Sequence, residues 1–455
     1  MARELFGTDG IRGVPGRFPL DDATVYAAGR ALGHHIGDPA GTAAPRVLIG
    51  MDTRESGPRL AARLGAGLVA AGVEPVSAGV ITTPGVAALV REDGFAAGVV
   101  ISASHNPFSD NGIKLFSRKG MKFPDEIEEQ IEAEILRPRE GQAGDGTTAF
   151  AAPEPQPELA EKYLSLLRGR ANGEADLDGL VIVLDCANGA ASRLAPELFV
   201  TLGARVIVFN ASPNGRNINA GCGSLHPEAM CRAVAENGAH LGVAFDGDAD
   251  RAILATASGG LIDGDGVLYV AARALKAAGK LRGGAVVGTT MTNLGLERAL
   301  ASEGISLARV PVGDRYVLEE MLRCGANLGG EPSGHIIFLD EGPAGDGMAT
   351  ALKMAAAVKR HGPLERLVSG LTLYPQRIVN VRVAEKPPLE ALPEVARVVE
   401  EARGALGETG RLVVRYSGTE PVARVMVEAE SAAEVERWSA AIAEAIRRRI
   451  GAESG

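Results

Sequence analysis

The sequence predicts an α/β protein: three topologically similar domains with mixed or parallel sheets, then a smaller C-terminal α+β domain. Three observations predict it. A strand–turn–helix–strand pattern recurs three times along most of the chain. The last stretch breaks that pattern with strands that alternate as half-buried strands do. Gly is abundant and aromatics make up 4% of residues, so the cores fall to Val, Leu, Ile and Ala, which suits buried parallel strands.

Each repeat opens on an apolar run that ends in a polar turn. Arg46 to Met51 reads as the first such strand, followed by an Ala- and Leu-rich helix from Gly57 to Ala71 and a second strand around Gly72 to Val76. Leu180 to Asp185 begins the next, with a helix near Ser192 to Leu202 and a strand at Arg205 to Phe209. Ala285 to Thr289 begins the third, with a helix near Leu294 to Ser302 and a strand around Ile305 to Val310. Parallel neighbours joined by helices are the natural outcome. Beyond a hinge near Leu371 to Pro375, strands are expected at Arg377 to Val383, Arg411 to Arg415 and Ala423 to Val427. Helices near Leu389 to Leu406 and Ala432 to Ile450 accompany them. The Pro-rich run Ala152 to Pro157 follows a Gly- and Thr-rich loop and marks another boundary. The expected domains are therefore 1–155, 156–262, 263–371 and 372–455.

Composition and charge exclude several classes of function. At 455 residues the chain is too long for one small core. A net charge of -10 argues against a nucleic-acid partner, which needs a net basic face. An anionic small molecule stays compatible, because a local arginine cluster overrides the global field. Cys186, Cys222, Cys231 and Cys324 form no C-x-x-C pair, so reduced thiols of a cytoplasmic protein are expected rather than zinc or disulfides. The start, Met1-Ala2-Arg3-Glu4, lacks the apolar segment of a signal peptide. No apolar run is as long as a membrane span.

Five segments carry chemistry. Ser104 follows the apolar run Ala96 to Ile101 in Ser102-Ala103-Ser104-His105-Asn106-Pro107, with Lys114 ten positions downstream. An isolated serine here would simply cap a helix. Pro107, however, drives Asn106 out of helical geometry, so the loop turns first and is expected to hold the hydroxyl exposed. The surroundings do not match the G-x-S-x-G elbow of hydrolases, and His105 is expected to orient the loop rather than take a proton. In the second segment, Asp246, Asp248 and Asp250 alternate on a Gly-containing loop after a strand. Three carboxylates this close are costly without a cation, and they suit Mg²⁺ with open positions. An EF-hand would need Gly where Arg251 stands.

The third segment, Arg415-Tyr416-Ser417-Gly418-Thr419-Glu420-Pro421, fits an ordinary hairpin turn; Arg415 and Arg424 beside small hydroxyl residues fit a phosphate cradle equally well. In the fourth, Glu331 and Ser333 of Gly329-Gly330-Glu331-Pro332-Ser333-Gly334-His335 offer an acceptor and a donor to vicinal sugar hydroxyls, although a turn between strands explains the run too. The fifth, Phe6 to Gly13, reads as a flexible terminus or as a Gly-rich approach that brings Arg12 close to phosphate. A nucleophile, a hard-metal site and anion sites together describe phosphoryl transfer.

Taken in order from Phe6 to about Val427, these segments resemble the phosphoglucosamine mutases of the α-D-phosphohexomutase superfamily. The resemblance implies four domains around a central cleft, the last one mobile. It implies that Ser104 is phosphorylated and joins Asp246, Asp248 and Asp250 on Mg²⁺. Arg12 and Arg251 would stabilise the phosphoryl group, and Lys114 would be the general acid/base. Glu331 and Ser333 would hold sugar hydroxyls, while Arg415, Ser417, Gly418 and Thr419 would grip the phosphate that is not transferred. The implied reaction interconverts glucosamine 6-phosphate and glucosamine 1-phosphate through glucosamine 1,6-bisphosphate, in a monomer or homodimer whose only partner is a small phosphosugar. Alternatives are a phosphoglucomutase or phosphomannomutase and a Mg²⁺-dependent sugar phosphatase. Pro332 stands where the glucosamine branch usually carries Gln. Val312-Gly313-Asp314-Arg315 stands where the glucose and mannose branches supply a histidine, a difference that favours glucosamine.

Overall fold

The computed structural model describes residues 4–7, 9–36, 44–137, 151–170, 176–417 and 421–452. Its first three sheets share one topology. In the first, the strands Arg46–Met51, Glu74–Val80, Ala97–Ile101 and Asn111–Ser117 lie in the order second, first, third, fourth. The first three are parallel and the fourth turns back antiparallel. The second sheet repeats this with Val181–Asp185, Arg205–Phe209, Leu241–Phe245 and Ala252–Ala255. The third does so with Ala285–Thr289, Ser306–Val310, Leu328–Gly330 and Ile336–Phe338.

The apolar runs explain the parallel part. Ala97–Ile101 and Leu241–Phe245 are buried along their whole length, so both faces need cover, and helices in the crossovers supply it. The turn to the antiparallel fourth strand is short, and in each unit a loop stands outside the carboxyl end of the third strand. Those loops are 102–110, 246–251 and 331–335, which hold the serine, acidic and sugar-loop motifs respectively. Three of the five segments thus occupy equivalent places in three repeats, where open α/β sheets bind ligands.

The described residues of the N-terminal motif are built into the first sheet, which corrects the reading of a flexible terminus. Phe6–Gly7 and Gly10–Gly13 form a hairpin that extends the first sheet beyond Asn111–Ser117. Glu132 holds it by accepting from the backbone N–H groups of Glu4, Leu5 and Phe6.

One continuous buried cluster runs through all three α/β units, joining Leu48 and Val100 to Leu184 and Phe245, and on to Val286 and Leu328. The fourth unit has a core of its own, with Val425, Trp438 and Ile442, between a three-stranded antiparallel sheet and the helices Pro393–Leu406 and Ala432–Ile450. The segment expected as a hinge, Leu371 to Pro375, carries no helix or strand. It is tied to the third unit through Asn293, whose side chain accepts from Tyr374 N (2.9 Å) and donates to Tyr374 O (3.0 Å).

Candidate functional site

Two of the three equivalent loops meet at Ser104. Its Oγ donates to Asp246 Oδ2 at 2.5 Å, and His105 Nδ1 lies 3.2 Å away. The expected exposed hydroxyl is not found: Ser104 is 1% exposed, with a left-handed backbone (φ 52°). The acidic loop covers it. A Cβ on Gly247 would stand 2.5 Å from Ser104 O, so glycine between Asp246 and Asp248 is what lets the loops pack. The neighbouring hydroxyl of Ser102 is committed elsewhere, donating to Asp52 Oδ2 (2.6 Å) and accepting from Ser104 N (2.9 Å).

Asp246, Asp248 and Asp250 bring carboxylate oxygens within 4.8 Å of one another, all buried. Burial first, then Asp250 and Asp248, push the Asp246 carboxyl well above the usual carboxylate range. Burial works the same way on Asp250, but Lys114, His335 and Arg251 outweigh it and keep that group ionised. Asp248 Oδ2 accepts from Thr83 Oγ1 at 2.5 Å and from Lys114 Nζ at 2.9 Å. Lys114, fully buried, also lies 3.1 Å from Asp9 Oδ2 and 3.5 Å from Asp250 Oδ2. Burial opposes its charge, yet Asp248, Asp9 and Asp250 together hold its pKa well above the ordinary lysine value.

Arg12 and Arg251 join the same cluster. Arg12 Nη2 donates to Asp9 Oδ2 at 2.6 Å, and Arg251 N donates to Asp246 Oδ1 at 3.2 Å. Burial disfavours the Arg251 guanidinium, but Asp250, Asp246 and Glu331 hold it protonated, which places the sugar-loop carboxylate in the same electrostatic field. Glu331 Oε1 accepts from Gly313 N (2.9 Å), and Ser333 Oγ is 3.3 Å from Glu331 Oε2. Burial, then Arg251 and Arg12, lower the His105 pKa to about 4, so this ring is neutral at ordinary pH.

The Arg415 loop belongs to the fourth unit. Arg415 and Arg424 face each other across paired strands of the fourth sheet, and Lys386 Nζ donates to Ser417 O at 2.7 Å. Gly418 and Thr419 lie outside the described residues.

Sequence reasoning passed over four residues of the cluster. Thr83 opens the helix Thr83–Glu92 after its N-cap Thr82, whose hydroxyl accepts from Gly85 N, and helix starts are common places for threonine. Asp9 sits in the N-terminal motif but was outshone by Arg12. Lys122 had no motif around it; its Nζ bridges Asp9 Oδ1 and Asp314 Oδ2, each at 2.6 Å. His335 closes the sugar-loop motif, and its Nδ1 is 3.7 Å from Asp250 Oδ2.

Orphaned polar atoms test whether a cation and an anion fit. Among the described residues, Asp248 Oδ1 is a buried acceptor and Arg12 Nε a buried donor without a hydrogen-bond partner, and Asp250 Oδ1 and Arg251 Nε, also without one, face each other as an ion pair at 3.7 Å. Unsatisfied acceptors and donors in one cluster are costly. A hard divalent cation on the carboxylates and a phosphate on the guanidiniums would satisfy both sets, and oxygen-only ligands suit Mg²⁺.

Comparison with known proteins agrees. Models of the phosphoglucomutase/phosphomannomutase alpha/beta/alpha domains I, II and III match residues 3–142, 146–259 and 263–374, and the model of that family's C-terminal domain matches 378–445. The chain is 53% identical to the phosphoglucosamine mutase of Solibacter usitatus, over 99% of this chain and 100% of the relative. A phosphoglucomutase/phosphomannomutase family protein from Burkholderia thailandensis is 25% identical, with a TM-score of 0.75 and 97% of each chain covered. The Aspergillus fumigatus N-acetylphosphoglucosamine mutase, solved with GlcNAc-6P and magnesium, shares the fold at 19% identity and a TM-score of 0.68, covering 98% of this chain and 96% of its own. With all four family domains matched in order and a full-length relative above half identity, the chain belongs to the phosphoglucomutase/phosphomannomutase family.

Proposed function

We propose that this chain interconverts glucosamine 6-phosphate and glucosamine 1-phosphate, through phosphorylated Ser104 and a glucosamine 1,6-bisphosphate intermediate. The carrying observation is the 2.5 Å contact between Ser104 Oγ and Asp246 Oδ2 inside a buried acidic trio. Relatives at 53% and 49% identity over 99% of this chain are phosphoglucosamine mutases, which supports the substrate class.

Asp246, Asp248, Asp250 and the oxygen on Ser104 are the residues that would hold Mg²⁺, which when bound supplies positive charge beside the transferring group. Serine alone is a poor nucleophile, so starting each cycle from phosphoserine avoids the difficult first attack. The P–O bond to Ser104 breaks as a sugar hydroxyl oxygen bonds to phosphorus. Lys114, as general acid/base, gives a proton to the departing Ser104 Oγ, which becomes a hydroxyl, and the proton lost by the sugar hydroxyl restores the ammonium. The bisphosphate turns end for end and its other phosphate returns to Ser104. Arg12 and Arg251 oppose the charge that builds on the phosphoryl oxygens. Lys114 starts the cycle as the acid partner of this general acid/base pair of steps, kept protonated by its carboxylate partners against the pull of burial. Glu331 and Ser333 take sugar hydroxyls, and Arg415, Ser417, Gly418 and Thr419 take the distal phosphate. A cytoplasmic monomer or homodimer, with domains bounded as the sequence predicts, completes the proposal.

A second reading, a phosphoglucomutase or phosphomannomutase, draws on Pro332, which offers the sugar no side-chain hydrogen bond. Turnover on the three sugar phosphates with catalytic sugar bisphosphate separates them. Fastest turnover of the amino sugar is expected. Preference for glucose or mannose phosphate transfers the assignment to the second reading, and inorganic phosphate released without isomerisation overturns both.

A further inference from the structure

We infer that Arg54 and Asn219 are positioning residues: together they clamp the backbone of the Ser104 loop and fix its hydroxyl against Asp246. The inference rests on the reading of Ser104 as the phosphate carrier.

The Arg54 side chain is wholly buried, and all five of its N–H donors have acceptors. Nε donates to Asp52 Oδ2 at 2.9 Å. Nη1 donates to Asp110 O at 3.0 Å and to Pro107 O. Nη2 donates to Ser104 O at 3.0 Å and Asn106 O at 2.8 Å. Four of the five acceptors are thus main-chain carbonyls of one irregular loop, which has no strand partner to satisfy them. A lysine, with three donors on a point charge, could not serve all of them.

Asn219 closes the clamp from the second unit. Its Nδ2 donates to Ser104 O at 2.9 Å and Asn106 O at 3.1 Å, the same two carbonyls that Arg54 Nη2 holds. The residues on either side of Arg54 are tied to that unit as well. Thr53 Oγ1 donates to Asn188 O at 2.5 Å, and Glu55 N donates to Gly215 O at 3.0 Å. Asp52 then links clamp and loop, since its Oδ2 also accepts from Ser102 Oγ, which in turn receives Ser104 N.

The clamp has a physical reason. Ser104 sits at φ 52°. A left-handed backbone costs a residue with a Cβ about 1–2 kcal/mol and persists only where the surroundings over-determine it. Released, the loop would relax and swing the hydroxyl away from Asp246. The serine must present its oxygen in one place for two transfers per cycle, and a misplacement of about 1 Å can cost about 10²-fold in rate. Neither residue reaches the Ser104 hydroxyl; both act through main-chain carbonyls.

Asn219→Gly is the sharper variant. Asn219 is itself left-handed (φ 57°), a conformation glycine keeps while losing both donors. The expected result is a kcat reduced about tenfold or more with KM for the sugar phosphate within about twofold. Arg54→Lys should fall further in the same direction; if it fails to fold, Asn219→Gly carries the test alone. An unchanged kcat in Asn219→Gly overturns the proposal. Hydrogen exchange reads the clamp without turnover: the amides of Ser104, Asn106 and Asp110 should lose protection in Asn219→Gly while those of Leu241–Phe245 keep theirs. Unaltered protection of the loop also overturns the proposal. An inactive parent sinks the mutase reading instead and leaves the clamp to be decided by exchange.

Discussion

Lys114 Nζ lies 2.9 Å from Asp248 Oδ2, a buried ion pair that ties the fourth strand of the first sheet to the acidic loop of the second. Lys114 is the cation closest to the trio, and removing one partner of a buried pair typically costs about 3–5 kcal/mol. Lys114→Met should therefore destabilise the protein most in EDTA, where Arg251 and His335 are left to oppose the charge of the trio. Added Mg²⁺ should recover much of the loss. Denaturant titrations with and without Mg²⁺ check this, and equal destabilisation in both would show that the trio does not take the cation.

Asp248→Asn removes one carboxylate while keeping its shape. Mg²⁺ affinity measured by calorimetry should fall sharply, and kcat should drop about 10²–10³-fold, the usual cost of losing one charge stabiliser. Unchanged Mg²⁺ affinity would discard the metal assignment.

Arg415→Ala tests the loop of the fourth unit. The phosphate it would grip is held through ground and transition states alike, so KM should rise with kcat little changed. A pure kcat loss would count against that role.

Cys222 sets a pH limit. Burial, then Asp185, push its thiol from the ordinary 9.0 up to about 11. The unfolded chain loses this thiol proton first, so the group's contribution to stability is complete below about 9 and is lost as the pH rises toward 11. Chemical denaturation across that range should show the decline, and Cys222→Ala should make it shallower by this thiol's share, leaving that of Cys186, which burial pushes up further. At pH 8 the parent thiol should react slowly with thiol reagents.

Much of this was legible in sequence for identifiable reasons. Apolar runs such as Val181–Asp185 are long enough and β-branched enough to read as buried strands, and the helix Ala432–Ile450 shows its apolar spacing plainly. The acidic trio was legible because like charges at alternate positions demand an explanation. What local pattern could not convey was pairing between distant segments. Nothing near Thr83 announces Asp248, and nothing near Lys122 announces both Asp9 and Asp314. Ser104 was read as exposed because its own loop is polar; the covering loop arrives more than a hundred residues later, with Gly247 shaped to fit.

The most direct measurement is the intact mass of the protein after incubation with glucosamine 1,6-bisphosphate, followed by fragmentation to place any added group. One phosphate on Ser104 is predicted, absent from Ser104→Ala and removed when glucosamine 6-phosphate is supplied in excess. No added phosphate, or a phosphate on Ser102 or any other side chain, would contradict the account.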